Sequence, residues 1–265
     1  MPDQTPEPFS PPDPRDRFSS RVDDYVRHRP GYPAAAIETL RQFAGLVPGC
    51  VVADIGAGTG IFSRLLLEAG ARVCAIEPNA AMRAALASTA PAAPHLTVSA
   101  GSAESTGLPD DSVDLITAAQ AFHWFVPDQA RLEFARILKP DGRVALVWNN
   151  RLDAASPFLV EYDQLLHRFA TDYATVDHRK VDQERIARFF APGEVRSFAF
   201  PNRQVFDFAG LRGRLLSSSY APPAGHPRHE SMLVELHRIF ERHQSDGRVA
   251  FLYRTELHVG RFGPG

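Results

Sequence analysis

The chain predicts an α/β fold in which a parallel sheet is covered by helices on both faces, and three observations carry this. Short apolar runs alternate with amphipathic stretches from residue 34 to residue 150, and repeated βα alternation is satisfied most simply by a parallel sheet. The run Val51-Val52-Ala53-Asp54-Ile55 leads into Gly56-Ala57-Gly58-Thr59-Gly60, a strand entering a glycine-rich turn. A second apolar run, starting at Arg72, ends in Ile76-Glu77. It sets a carboxylate at the same sheet edge.

The elements follow in order. Residues 1–16 are rich in proline and acid and lack an apolar core, so they are expected to form a disordered tail rather than a signal peptide. Residues 17–265 form the domain. A helix over 17–28 is broken by Arg29-Pro30-Gly31-Tyr32-Pro33. Residues 34–44 place Ile37, Leu40 and Phe43 at helical spacing. Strand 51–54, helix 59–68 (closed by Gly70), strand 72–77, helix 80–88 and strand 96–100 come next. A turn and fourth strand occupy 111–118, and a helix occupies 129–137. Lys139-Pro140-Asp141-Gly142 is a tight turn into strand 143–148.

Past Asn150 the rhythm changes. Residues 158–171 read as a helix, 195–200 as a strand, and 208–218 and 231–243 as helices. The last strand alternates: Val249, Phe251, Tyr253, Thr255, Leu257, Val259. Residues 151–190 and 206–247 are expected to act as helical cap or lid elements over the C-terminal sheet edge.

Bulk properties narrow the function. With 265 residues and 44% hydrophobic content, one well-buried domain is expected. A net charge of −2 gives no strong pull toward nucleic acid or an anionic membrane. No apolar stretch approaches membrane-spanning length. Cys50 and Cys74 begin two core strands and have no metal-ligand spacing. They read as buried hydrophobes in a reducing, cytoplasmic setting without a metal.

The glycines let the backbone turn sharply and approach a ligand closely, and amides at the following helix N-terminus favour an anionic group. Glu77 is placed to accept two ribose hydroxyls. A dinucleotide requires G-x-G-x-x-G, whereas this turn reads G-x-G-x-G with Asp54 ahead of it. That carboxylate opposes a pyrophosphate and suits a ligand bearing an ammonium group.

Asp54-Ile55-Gly56-Ala57-Gly58-Thr59-Gly60 resembles the first motif of class I S-adenosylmethionine-dependent methyltransferases. Glu77-Pro78-Asn79 with Met82 resembles their ribose and adenine segment, and Gly101-Ser102-Ala103-Glu104 the loop at the adenine edge. Leu138-Lys139-Pro140-Asp141-Gly142 resembles the turn before their fifth strand, although the family more often has two glycines there. Further segments resemble a small-molecule subgroup that includes trans-aconitate and cantharidin-type methyltransferases. They are Phe18-Ser19, Tyr25, Arg29 to Pro33, Ala119 to Phe125, Ala145 to Asn149, Ser217 to Tyr220 and Gly225-His226-Pro227. Leu252 departs from it, because an acid is expected there.

The resemblance implies a Rossmann-like, seven-stranded, mostly parallel sheet with an antiparallel last strand and a helical lid insert. It implies S-adenosyl-L-methionine as cofactor, held by Tyr25, Arg29, Tyr32, Asp54, Gly56, Ala57, Gly58, Thr59, Gly60, Glu77, Pro78, Met82, Ser102, Ala103, Glu104, Gln120, Ala121 and Phe122. His123, Trp124, Trp148 and Tyr220 are candidates for acceptor contact, and Arg214 and His226 in the lid are further ones. His123 reads equally as a general base, as a contact to an acceptor carboxylate and as a hydrogen-bonded structural histidine. The acceptor is expected to be a small molecule methylated on oxygen, carboxylate or hydroxyl, by a monomer or homodimer. The base methyltransferase segment Asn/Asp-Pro-Pro-aromatic does not follow the fourth strand, where Gln120-Ala121-Phe122-His123 stands, so nucleic acid is not an expected partner. Two alternatives share the same glycine-turn plan: a nicotinamide-dependent oxidoreductase and a non-catalytic S-adenosylmethionine-binding module.

Overall fold

A computed structural model describes residues 26–89, 94–171, 173 and 183–263. Seven strands form one sheet: β1 (Val51–Ile55), β2 (Arg72–Ile76), β3 (Leu96–Ser99), β4 (Val113–Ala119), β5 (Leu138–Arg151), β6 (Val195–Phe206) and β7 (Val249–Gly260). Their spatial order is β3-β2-β1-β4-β5-β7-β6. The first five pair in parallel, and β7 runs antiparallel to both β5 and β6. The chain therefore winds outward from β1 in one direction and from β4 in the other. The crevice between their C-terminal ends is where ligands sit in such sheets.

Two helical layers cover the sheet. On one face lie α1 (Ala34–Phe43) and α2 (Ile61–Glu68), whose Ile37, Leu40, Phe62 and Leu66 pack on Val52, Val73 and Leu115, with Leu86 of α3 (Ala80–Thr89). On the other face, Phe134 and Ile137 of α4 (Pro127–Ile137) pack on Ile116 and Val144. These strands are apolar on both faces, as burial on both sides requires.

A third cluster lies beyond the parallel strands. It joins α5 (Pro157–Phe169), α7 (Phe208–Leu216) and α8 (His229–His243) to Val249, Phe251 and Tyr253 at the start of β7. Pairing of β5 with β7 ends at Arg151↔Tyr253, while β6 follows β7 back to Val249. The β6–β7 ribbon thus projects past the C-terminal end of β5, and the three helices dock on it.

Several elements differ from the sequence expectation. β6 continues through Pro201-Asn202-Arg203 to Phe206 instead of stopping at residue 200. It is an edge strand, where proline costs no ladder bond that the sheet needs. Strand β5 starts at Leu138, and the expected turn is an excursion within it. The register jumps from Val113↔Leu138 to Leu115↔Arg143, and a Cβ on Gly142 would meet Leu138 Cδ2 at 2.5 Å. Helix α6 (Gln183–Phe190) falls in the stretch 151–190 expected as a helical cap or lid but given no bounds of its own there; Ile186, Phe189 and Phe190 have helical spacing and are buried. It packs beside α4 on the sheet face, not with α5. The expected tail and residues 17–25 of the helix expected over 17–28, Tyr25 among them, lie outside the described residues.

Candidate functional site

The glycine turn is shaped as the sequence requires. Gly56, Gly58 and Gly60 all have positive φ, at 68°, 58° and 79°. A Cβ on Gly56 would stand 2.6 Å from the Ala121 Cβ. Glycine at 56 therefore lets the first turn lie against the segment after β4. The turn amides are held by Glu77, whose Oε2 accepts the N–H of Gly58 at 2.8 Å and whose Oε1 accepts that of Asn79 at 2.8 Å. Burial pushes the Glu77 carboxyl above its usual range against these bonds and the Arg83 charge.

Asp54, at the end of β1, is buried. Its Oδ2 accepts the Ser63 hydroxyl at 2.6 Å and its Oδ1 that of Thr117 at 2.8 Å. Burial pushes its pKa up to about 6 against the two hydroxyl bonds, and the nearby charge of Glu77 adds to the rise. Among the described residues no cationic side chain pairs with it. Thr59 Oγ1 is also buried, with no hydrogen-bond partner there. A turn with an uncompensated carboxylate and a spare hydroxyl fits a ligand that brings a cation and further polar atoms.

At the end of β4, Gln120 has φ 57°, an uncommon conformation for a non-glycine residue and one that gathers at functional sites. Its N–H is held by the Val147 carbonyl at 2.8 Å and its side chain donates to the Asn149 carbonyl at 3.3 Å. A 3₁₀ turn, Phe122–Trp124, follows. It points His123 and Trp124 into the cavity while Phe122 turns inward.

Residues 28–33 cross above this edge and are fastened to it. The Gly31 carbonyl accepts from Asn149 Nδ2 at 3.1 Å and Asn202 Nδ2 at 2.9 Å, and the His28 carbonyl from Gln204 at 3.2 Å. Arg29 Nη2 donates to the Ser217 carbonyl at 2.9 Å, tying the crossing segment to the end of α7.

These parts enclose one cavity of about 490 Å³. Of the residues expected at the cofactor or acceptor, the cavity gathers Arg29, Tyr32, Asp54, Gly56, Ala57, Gly58, Thr59, Glu77, Pro78, Met82, Ser102, Ala103, Glu104, Gln120, Ala121, His123, Trp124 and Tyr220. Others stand elsewhere. Phe122 is wholly buried, its ring against Phe125, Trp148 and Phe189. Trp148 lies in the same core beside His258. Gly60 caps α2 and abuts Leu86. In each case the apolar layer under the sheet claims the side chain or backbone.

The sequence reading did not place Asn149, Arg151, Asp153, Tyr173, Ser219 or Tyr253 at the site, yet all line the cavity. A usable signal existed for two of them. Asn149 and Arg151 prolong β5 past its apolar stretch, where parallel strands deliver functional groups. Arg214, a lid candidate for acceptor contact together with Tyr220, also lines the cavity, and His226, the other lid candidate, does not.

Comparison with known proteins agrees with this geometry. A family profile described as a methyltransferase domain matches residues 53–146. An uncharacterized methyltransferase-like protein of Schizosaccharomyces pombe is 29% identical over 90% of this chain and 92% of its own. An uncharacterized methyltransferase of Mycobacterium tuberculosis is 42% identical over 134 residues, 51% of this chain and 52% of its own. A proposed type II methyltransferase of Anaeromyxobacter dehalogenans, of solved structure, superposes with a TM-score of 0.67 over 89% of this chain and 99% of that one, at 23% identity. It shares the fold. Sheet, turn and profile match resemble those of S-adenosylmethionine-dependent methyltransferases, the methyltransferase-domain match lying over residues 53–146. The methyltransferase-domain match favours the methyl-transfer reading over the nicotinamide alternative.

Proposed function

We propose that the cavity holds S-adenosylmethionine against the β1 and β2 ends and methylates a small-molecule acceptor on oxygen. Asp54 would face the ammonium of the amino-acid tail, Gly56 to Thr59 would wrap that tail, and Glu77 would take the ribose hydroxyls. Met82, Ser102, Ala103 and Glu104 would frame the adenine. The bound cofactor would supply a methyl group on a sulfonium centre. The observation that carries the reading is Asp54: a buried carboxylate with no cationic partner among the described residues, lining the cavity at the glycine turn.

What the chain itself contributes is alignment and dryness. Transfer in line needs the two reactants fixed and water excluded, and positioning of this kind supplies about 7–11 kcal/mol of a barrier. Trp124, Phe125 and Tyr32 line the wall, and aromatic faces attract onium cations. His123 would contact the acceptor beside them. The helices α5, α7 and α8 on the projecting ribbon would form the lid. They lie four strand positions from β2, about 19 Å at the usual strand spacing, which is room for a nucleoside and an acceptor end to end.

The acceptor subgroup is read as the one resembling trans-aconitate and cantharidin-type methyltransferases, on the segments quoted from residue 29 onward. A free small molecule rather than nucleic acid is favoured by the net charge of −2. The free cysteines Cys50 and Cys74 favour a reducing, cytoplasmic setting, and among the described residues no helix is long and apolar enough to cross a membrane. The enzyme is read as a monomer or homodimer. A tritium-transfer screen over carboxylic acids, alcohols and amines tests the reading: labelled esters or ethers support it, and label only on amines overturns the oxygen preference.

A further inference from the structure

The loop after β3 closes on itself. Ser102 and Ser105 exchange backbone hydrogen bonds at 3.0 and 3.3 Å, and Ser102 Oγ accepts the Glu104 N–H at 3.3 Å. A Cβ on Gly101, just before it, would meet Ile76 Cγ2 at 2.8 Å and the Ser105 and Thr106 carbonyls at 3.1 Å. The loop lies beyond Ser99, the last residue of β3 paired with β2, so the sheet ladder does not orient it. It reaches α4 at two points instead. Glu104 Oε1 accepts the Val126 N–H at 2.9 Å, at the N-cap of α4. Further along that helix, Glu133 Oε1 accepts the Thr106 N–H at 2.8 Å and the Thr106 hydroxyl at 2.5 Å.

Thr106 is buried and the Glu133 side chain is 10% exposed. Arg136 grips the same carboxylate with Nε at 2.9 Å and Nη2 at 2.8 Å, and its Nη1 reaches Asp110 at 2.5 Å. The Arg136 guanidinium, helped by the Thr106 bonds and opposed by burial, holds the Glu133 carboxyl down at about 2. It therefore accepts from Thr106 as an ion at neutral pH, and charge-assisted bonds are the stronger kind. The cavity wall itself is Ser102, Ala103 and Glu104; Thr106 and Glu133 stand behind it.

Resting on the methyl-transfer reading above, we infer that Glu133 is a positioning residue for the adenosine part of the cofactor: acting through Thr106, it fixes residues 102–106 as one wall of the cavity. Placing a carboxylate where it is nearly dehydrated is costly unless its bonds are made. Arg136 offsets the charge, and the two Thr106 bonds use the oxygen that faces the loop. The same helix begins where Gln120 to Phe125 end, so α4 carries the adenine wall and the segment bearing His123 and Trp124 in one piece.

The test measures S-adenosylhomocysteine by calorimetric titration and adenosine by its displacement of tritiated S-adenosylhomocysteine, both on the full chain. Glu133→Ala should weaken the two ligands alike, by about fivefold, the net worth of a hydrogen bond. Glu133→Gln keeps an oxygen for Thr106 and should recover part of the affinity, while Thr106→Val should reproduce part of the loss. Glu38→Gln, at an exposed carboxylate paired with Arg41, should change neither ligand. Hydrogen exchange over 102–106 should quicken in Glu133→Ala and Thr106→Val and not in Glu38→Gln. Folded Glu133→Ala with wild-type affinity and wild-type exchange overturns the proposal; where that variant does not fold, the same result in Thr106→Val overturns it. A larger loss for S-adenosylhomocysteine than for adenosine also overturns it, because the effect then lies at the amino-acid end. Wild type that binds no S-adenosylhomocysteine removes the methyl-transfer reading and this inference together. Wild type that binds it, with unchanged variants, removes this inference alone.

Discussion

Asn149 and Gly31 are joined across the mouth of the cavity. The Asn149 side chain donates to the Gly31 carbonyl at 3.1 Å, and its own carbonyl oxygen accepts from Thr255 Oγ1 at 2.5 Å and Asn202 Nδ2 at 3.0 Å. One buried amide thereby couples the end of β5, the antiparallel ribbon and the segment that crosses the site. Asn149→Ala removes the acceptor of the Thr255 hydroxyl and leaves the Gly31 carbonyl with Asn202 as its one remaining donor. It should cost about 2–3 kcal/mol in urea unfolding and speed proteolysis near residues 28–33. A loss under about 0.5 kcal/mol would show that the coupling is not structural.

Asp54 gives the protein a pH signature. Its folded pKa, about 6, lies above the unfolded value, so the neutral acid is the better-buried form. The stability it contributes is complete below about pH 3.9 and lost as pH rises through 6, a difference of about 3 kcal/mol. Asp54→Asn should therefore match or exceed wild-type stability at pH 7.5 by roughly 1–3 kcal/mol. It should also bind S-adenosylhomocysteine at least tenfold more weakly. Wild-type affinity should fall as pH drops through 6, and the variant should show a flatter profile. A variant less stable than wild type at pH 7.5 would contradict this account.

The two first glycines of the turn separate space from conformation. Gly56 has φ 68° and faces Ala121 at 2.6 Å, whereas Gly58 has φ 58° and nothing within 4 Å. Gly58→Ala should cost about 1 kcal/mol for the left-handed backbone alone. Gly56→Ala should cost roughly 2–4 kcal/mol, because the clash adds to it. Thermal unfolding of the pair decides, and equal losses would refute the close approach.

With a carboxylate acceptor, His123 is expected to position it and not to take a proton, because a carboxylate nucleophile is already ionised at neutral pH. On the acceptor found by the transfer screen, His123→Asn should lower kcat less than about tenfold and leave the pH–rate profile unchanged between pH 6 and 8. Loss of an ionisation near pH 6.5 from that profile would make it the base.

The strand–turn–helix signals were legible because they are local. Val51 to Gly60 and Arg72 to Glu77 each encode their structure in consecutive residues, and both stand where the pattern put them. Phe122 and Trp148 misled because an aromatic near a strand end suits a binding wall and a core layer equally. Only the direction of the 3₁₀ turn and the pleat of β5 decides between them. Arg214 was a lid candidate, but the company it keeps with Arg151 and Tyr253 was hidden for a different reason. Arg151, Arg214 and Tyr253 come from β5, α7 and β7, and their meeting depends on the β6–β7 ribbon projecting past the sheet. Pro201 in β6 concealed that extension.

The central claim is that Asp54, the glycine turn and Glu77 form the cofactor half of the cavity. Calorimetric titration of S-adenosylhomocysteine into wild type and Glu77→Ala tests it most directly. Wild type should show one site per chain, with affinity at least tenfold weaker in the variant. Folded wild type that takes up no S-adenosylhomocysteine, or a variant that binds it as tightly as wild type, would contradict it.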